Sequence, residues 1–320
     1  MSSVLALATS PKTLGADIER CFAHPSLGAL DPSRPTWIKV NGNFNIAYPG
    51  SNTSNWFLRA LLSVLRDRGF RLVTVVEGDL PEFRAEDMAE KTGLDEVLRP
   101  FAVPFLSYER LPRDARELPT ALREVQLLNT PVFHTHGHAV ISCATKNLFG
   151  ILPVDRRKYH GRLSEKLIEL AELIPCATLV DGTVGLEGES TRRGDPVRTD
   201  MLLAGSDVLA LDVVAARVMG FAPEAVPLLK LAIERGKVSV GDVSIEGDLA
   251  LDRPSDRKFR LEIGRIRRLA IWLHKIDIDT EPLWAMTDPV RVLWHRLNFR
   301  RKKAQLKQGA WMEYEQGAPE

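Results

Sequence analysis

Apolar and polar positions follow two periods along this chain, and the changes between them set the expected elements. Trp37-Ile-Lys-Val-Asn41 reads as a short buried strand ending at polar residues and Gly42. Thr53-Ser-Asn-Trp-Phe then caps a helix running to about Asp67, with Phe57, Ala60, Leu61, Val64 and Leu65 on one stripe. Gly69 ends that helix, and Phe70-Arg-Leu-Val-Thr-Val-Val-Glu77 is a second, valine-rich strand. Strand, helix and strand in succession form a βαβ unit and imply a parallel sheet. Residues 84–97 look helical and 98–116 are proline-rich. The pattern resumes with a strand over 131–137, a short helix over 139–149 and an amphipathic helix over 162–173. Ala177-Thr-Leu-Val-Asp181 is a strand closed by Gly182, Met201-Leu-Leu-Ala204 is another, and 207–219 is the helix after it.

These elements predict an α/β fold over residues 1–251, with a mostly parallel, doubly wound sheet. Ligands in such sheets sit beyond the carboxyl ends of the strands. Asn41, Glu77, His136, Asp181 and Asp207 all fall at or just past such predicted ends, so the topology predicts their convergence. From residue 252 the character changes. Residues 260–274 and 288–297 read as two amphipathic helices, the first strongly basic, and the second runs into Arg300-Arg-Lys-Lys303. Residues 252–320 are thus expected to be a basic helical extension whose final residues, with Gly309, Gly317 and Pro319, fray.

Composition narrows the function classes. The chain has 320 residues, 44% apolar and 27% charged, enough for a large core. A net charge of +1 gives no global attraction to nucleic acid, and no specific nucleic-acid partner is expected. Residues 257–307, however, carry fourteen Lys or Arg against five Asp or Glu. Such a segment suits a solvated face, an anionic membrane surface or an acidic protein partner. Cys21, Cys143 and Cys176 are too few for a four-cysteine iron–sulfur or zinc module within this chain, so no iron–sulfur cluster is expected. No apolar run approaches the ~20 residues that span a bilayer, and the start lacks the basic region of a secretion signal. A cytoplasmic location is the expectation.

The densest chemistry lies in His134-Thr-His-Gly-His138, where an extended backbone would put three imidazoles on one face. Three roles are open for them: buried partners of backbone carbonyls, ligands of a divalent metal (His134, His136, His138), or acid/base and anion-binding groups. No His-Glu-x-x-His pattern occurs. Lys39 and Lys146 are candidate clamps for a carboxylate or phosphate, with an ion pair to Asp181 or Asp207 as the alternative. Asn41 and Asn147 are candidate ligand-binding amides, though Asn147 equally suits a turn before Gly150. Asp181 and Glu187 can orient an imidazole or bind a cation. Asp207 stands where a helix N-cap is wanted, and Asp212 in the same helix could pair with one of the lysines. Cys143 lies between His138 and Lys146, where a thiol–imidazole pair is a further option. Gly182, Gly185 and Gly188 do not form a dinucleotide fingerprint, and there is no Walker loop.

Several segments together resemble the bacterial and archaeal family named domain of unknown function 362. They are Ile38-Lys-Val-Asn41, His134-Thr-His136, Ala144-Thr-Lys-Asn-Leu-Phe-Gly150, Tyr159-His160, Leu179-Val-Asp-Gly182, Leu186-Glu-Gly188 and Gly205-Ser-Asp-Val-Leu-Ala-Leu-Asp212, spread over about residues 36–247. The resemblance implies an α/β fold but supplies no reaction. It singles out His136 and His160 as acid/base candidates, because both fall in family-like motifs. Many members carry an appended ferredoxin-like cysteine cluster, and this chain lacks one. The family commonly has Lys-Thr-His where His134-Thr-His136 stands here, and the loss of that lysine favours metal binding or a pH-sensitive role.

Two functions follow as expectations. One is a cytoplasmic enzyme acting on a small anionic metabolite, with His136, His160 and Lys146 as its catalytic groups. Lys39, Asn41, Asn147, Asp181, Glu187 and Asp207 would then bind the ligand, with a divalent metal as the cofactor the histidines could hold. The other is a non-catalytic ligand- or metal-binding protein that docks on a partner or membrane through residues 257–307.

Overall fold

The computed structural model describes residues 2–188, 194–263, 309 and 311–317. The chain opens with strand β1 (Ser2–Ala8), helices α1 (Leu14–Cys21) and α2 (Pro25–Gly28), strand β2 (Thr36–Val40), helix α3 (Asn55–Asp67) and strand β3 (Val73–Glu77). Helices α4 (Ala85–Thr92) and α5 (Leu94–Leu98) precede strands β4 (Phe105–Ser107), β5 (Gln126–Thr130), β6 (Val132–His136) and β7 (Val140–Ser142). Then come α6 (Ala144–Leu148), α7 (Leu163–Leu173), β8 (Ala177–Glu187), β9 (Asp195–Gly205), α8 (Val208–Val218), α9 (Pro227–Glu234) and β10 (Val243–Gly247). A short helix α10 (Met312–Gly317) completes the described elements.

The main sheet has the order β10-β1-β9-β8-β5-β2-β3-β4, with β6 pairing to β8 and β7 to β6. Pairing is parallel throughout β8-β5-β2-β3-β4 and between β1 and β10; β9 runs antiparallel between β1 and β8. Because strand side chains alternate, neighbouring residues enter different cores. Ile38, Val75, Leu128, Leu179 and Leu202 join one core with α1, α3 and α5. Trp37, Val76, Leu127, Val180 and Leu203 join the other with α6, α7, α8 and α9. The sheet is therefore covered on both faces, as the βαβ periodicity requires.

Four expectations need correction. Residues 139–149 are not one helix: Val140-Ile-Ser142 pairs antiparallel with β6 before α6 begins at Ala144. The tight turn is made with Val140 at φ 64°, a conformation that sequence preference for a β-branched residue opposes. The strand at 177–181 does not stop at Gly182 but continues to Glu187. Gly182 and Gly185 lie inside it because a Cβ there would meet Phe133, 2.7 Å and 3.1 Å away. The third correction concerns the tail. Residues 255–262 adhere to the domain, with Ser255 donating to the Arg217 carbonyl, Phe259 buried, and Leu261 bridged to Gly188. No helix starts at residue 260; the remainder of both basic segments lies outside the described residues. Last, the chain does not fray at 311–317: Tyr314 is buried, stacks on Trp56 at 5.8 Å and donates to Asp200.

Candidate functional site

The carboxyl ends of β2, β3, β5 and β6 share one rim, and the residues placed there have different fates. Lys39 is 1% exposed and donates to both oxygens of Glu77, at 2.8 and 2.9 Å, and to the Val40 carbonyl. Glu77 also accepts from the backbone N–H groups of Gly42 and Gly78 and from the Tyr108 hydroxyl. Burial lowers the pKa of the Lys39 ammonium and Glu77 opposes that shift. Gly150 leaves room for this pair, since a Cβ there would sit 3.1 Å from both charged ends. The partner of Lys39 is thus Glu77, not Asp181 or Asp207.

Asn147 is equally committed. Its amide donates to Asn129 and, at 3.4 Å, to the Lys39 carbonyl, while Asn129 donates to the Ala144 carbonyl. Asp212 reaches from α8 to accept the N–H groups of Ala144 and Thr145, so it caps α6 rather than pairing with a lysine. Burial raises its pKa to about 6. Asn41 donates to Ser51 and accepts from Asn43, holding the loop after β2.

Asp181 lies inside β8, not at its end. It accepts the Ser54 N–H and hydroxyl and the Thr183 N–H and hydroxyl, so it supplies the negative charge at the start of α3. Burial raises its pKa. Glu187 accepts the backbone and side-chain N–H groups of Arg260 and anchors the segment after residue 255. Asp207 caps α8 through Leu209 and Ala210, and because β9 is antiparallel it lies on the opposite rim, beside Ser2. The topology therefore does not bring Asp181 and Asp207 to the site.

The histidines separate into two groups. His134 is fully buried; its Nε2–H donates to the Gly50 carbonyl and its Nδ1 has no hydrogen-bond partner. Burial lowers its pKa to about 4, and the nearby charge of Lys146 pushes the same way. His136 ends β6, and its Nδ1 accepts the N–H groups of His138 and Ala139, both at 3.2 Å. The proton of neutral His136 therefore sits on Nε2, inferred from these bonds. The extended backbone stops there, and His138 lies in the turn. Its ring stands 6.0 Å from His136 and 5.3 Å from His160. His160 comes from a 3₁₀ segment, Arg156–Arg162, and faces Phe149 at 6.0 Å. The Lys146 ammonium is also 6.0 Å from the Phe149 ring. The contacts thus form a chain from His136 through His138 and His160 to Phe149, whose ring also faces Lys146. His138, Lys146 and His160 are each half-buried.

Among the described residues, no group of three or more His, Cys, Asp or Glu side chains is arranged to hold a metal ion. The buried Nδ1 of His134 is one potential donor atom, but its ring is tied to the loop at Gly50. Cys143 is buried, and burial raises its thiol pKa well above the usual range, so a thiolate there is disfavoured. Sequence reading missed Glu77 as the lysine partner and Asn129 as the anchor of Asn147. Both contacts join distant segments, for which no local signal exists.

Comparison with known proteins adds a family. The sequence model of the family described as domain of unknown function (DUF362) matches residues 37–217. The chain belongs to that family. It is also 28% identical over 170 residues to "Thylakoid-associated protein sll1697" of Synechocystis sp., covering 48% of this chain and 53% of the relative. The chain thus spans about half the length of that curated relative. No solved structure matches it. No helix among the described residues is long and apolar enough to cross a membrane.

Proposed function

We propose that this family member is an enzyme of the cytoplasm that acts on a small anionic metabolite at the cluster of His136, His138, His160 and Lys146. One observation carries the reading: the end of β6, α6 and the 3₁₀ segment Arg156–Arg162 bring three imidazoles and an ammonium into one chain of ring contacts at the carboxyl rim. Lys146 supplies the positive charge for a carboxylate or phosphate. His138 and His160 exchange protons with the bound molecule, since imidazole titrates close to neutral pH. His136, with its proton directed to Nε2, donates a hydrogen bond rather than accepting one. Lys39, Asn147, Asp181 and Asp212 hold the surrounding backbone in place and do not touch the ligand.

A screen of carboxylates and phosphates by calorimetry, on the wild type and on Lys146→Met and His160→Ala, tests this. Binding by the wild type that both substitutions weaken at least ~tenfold supports it; ligands that bind equally well to all three proteins overturn it. Elemental analysis of the same samples beside a His134/His136/His138 triple-alanine variant asks whether a divalent metal is part of the site.

A second reading draws on the relative's name, which associates that protein with thylakoids, and on the excess of nine positive charges over residues 257–307. In it the protein is an accessory factor held electrostatically at an anionic membrane. Co-sedimentation with anionic but not neutral vesicles, lost at high salt, is its signature.

A further inference from the structure

A second cavity, apart from the imidazole cluster, opens beside the start of α3. It has a volume of about 260 Å³ and is walled by the loop after β2, the first turn of α3, the ends of α4 and α5, and α10. That is just under the usual ~300–1,000 Å³ range of ligand sites and suits a small metabolite.

Its polar lining is mostly spent on the protein. Tyr48 donates to Gly194, Asn52 is bonded twice to Phe44, Asn55 donates to Thr92, and Thr53 and Ser54 are bonded to Thr130 and Asp181. Asp181 also supplies the negative charge at the positive end of α3, so that end does not call for a ligand anion. Two charged side chains remain. Arg59 is half-buried on α3, and helix side chains lean toward the N-terminus, which carries its guanidinium back over the cavity. Glu315 enters from α10. Among the described residues neither makes a hydrogen bond or ion pair, with the other or with anything else. Opposite charges that face one small cavity without meeting leave a gap with a charge at each side. Trp56, Met88 and Leu94 give it an apolar wall.

We infer that this cavity binds a small zwitterion of the α-amino-acid class, with Arg59 taking the carboxylate, Glu315 the ammonium and the apolar wall the side chain. A half-buried guanidinium gains most from a bidentate carboxylate. Glu315 stands beside Tyr314, which stacks on Trp56, so the bound molecule would also tie the end of the described chain to α3. This reading is independent of the imidazole site and survives its failure.

The test is isothermal titration of the full chain with L-leucine and its two truncated forms, 4-methylpentanoate and isopentylamine. Leucine should bind, and removal of either charged group should weaken binding at least ~tenfold, about 1.4 kcal/mol. Arg59→Gln should lose the preference for the carboxylate and Glu315→Gln the preference for the ammonium, while Arg59→Lys weakens leucine binding but keeps its preference over isopentylamine. Circular dichroism confirms that each variant is folded. The inference is overturned if leucine and methionine fail to bind at millimolar concentration. It is also overturned if 4-methylpentanoate binds as tightly as leucine, or if Glu315→Gln leaves the selectivity unchanged.

Discussion

Lys39 and Lys146 carry the same charge to the same rim of the sheet, and the structure uses them in opposite ways. Lys39 stands within β2, between β3 and β5, where water is excluded, and its ammonium is matched by Glu77 and a backbone carbonyl. Lys146 stands on α6, half in solvent, with its ammonium 6.0 Å from the Phe149 ring. The contrast shows that position in the fold sets the surroundings: a charge between two inner strands must be answered internally, whereas one on a covering helix keeps contact with solvent.

The largest test of that contrast is Lys39→Met. It leaves the Glu77 carboxylate buried without its cation, and unfolding by urea should show a loss of about 3–5 kcal/mol. Lys146→Met, at a half-buried site in contact with solvent, should cost about 1 kcal/mol or less. Comparable losses in the two variants would remove the distinction.

The pH dependence of stability comes next. His134, held at about 4 against an ordinary 6.5, is neutral in the folded chain while the unfolded chain takes up a proton. Its contribution therefore falls as pH drops from 6.5 toward 4, by about 3 kcal/mol in all. Asp212, at about 6 against an ordinary 3.8, has the opposite sign. The folded chain keeps that proton to higher pH, so this contribution to stability falls as pH rises from 3.8 toward 6. The two trends oppose each other in the native protein. Asp212→Asn removes the second, and denaturant titrations should then show a clearly steeper loss of stability on acidification than in the wild type. An unchanged slope would show that Asp212 does not hold its proton to higher pH in the folded chain.

The smallest effect expected is at the edge of the domain. Glu187→Gln weakens the contact with Arg260, whose side chain is 52% exposed, and should cost about 1 kcal/mol or less, shrinking further with salt. A larger loss would mean that the segment after residue 255 is integral to the fold.

Much of the architecture was legible because it is local. The strand–helix–strand unit from Trp37 to Glu77 and the Asp207 cap of α8 each follow from a few consecutive residues. The histidine cluster was legible as residue types, and His160 was singled out through the family motif. What could not be read is what joins distant segments: Glu77 to Lys39, Asp212 to α6, and Tyr314 to Trp56. The turn at Val140 was missed for the opposite reason, since the local preference of valine argues against the conformation that β6 and β7 impose on it. The mid-strand place of Asp181 was hidden by Gly182, which usually ends a strand but here makes room for Phe133.

The place of β1 in the sheet has a consequence for how the protein is made. Residues 2–8 are synthesised long before residues 201–204 and 243–247, their neighbours in the sheet. For most of translation that strand has no partner, and its two open edges and its apolar residues Val4, Leu5, Ala6 and Leu7 are exposed to other chains. The segment from β2 to β5, whose pairings span far fewer residues, can assemble before it. β1 then takes its place between β9 and β10 after the centre has paired, which makes completion of the sheet slow and chaperone-sensitive compared with the assembly of its centre.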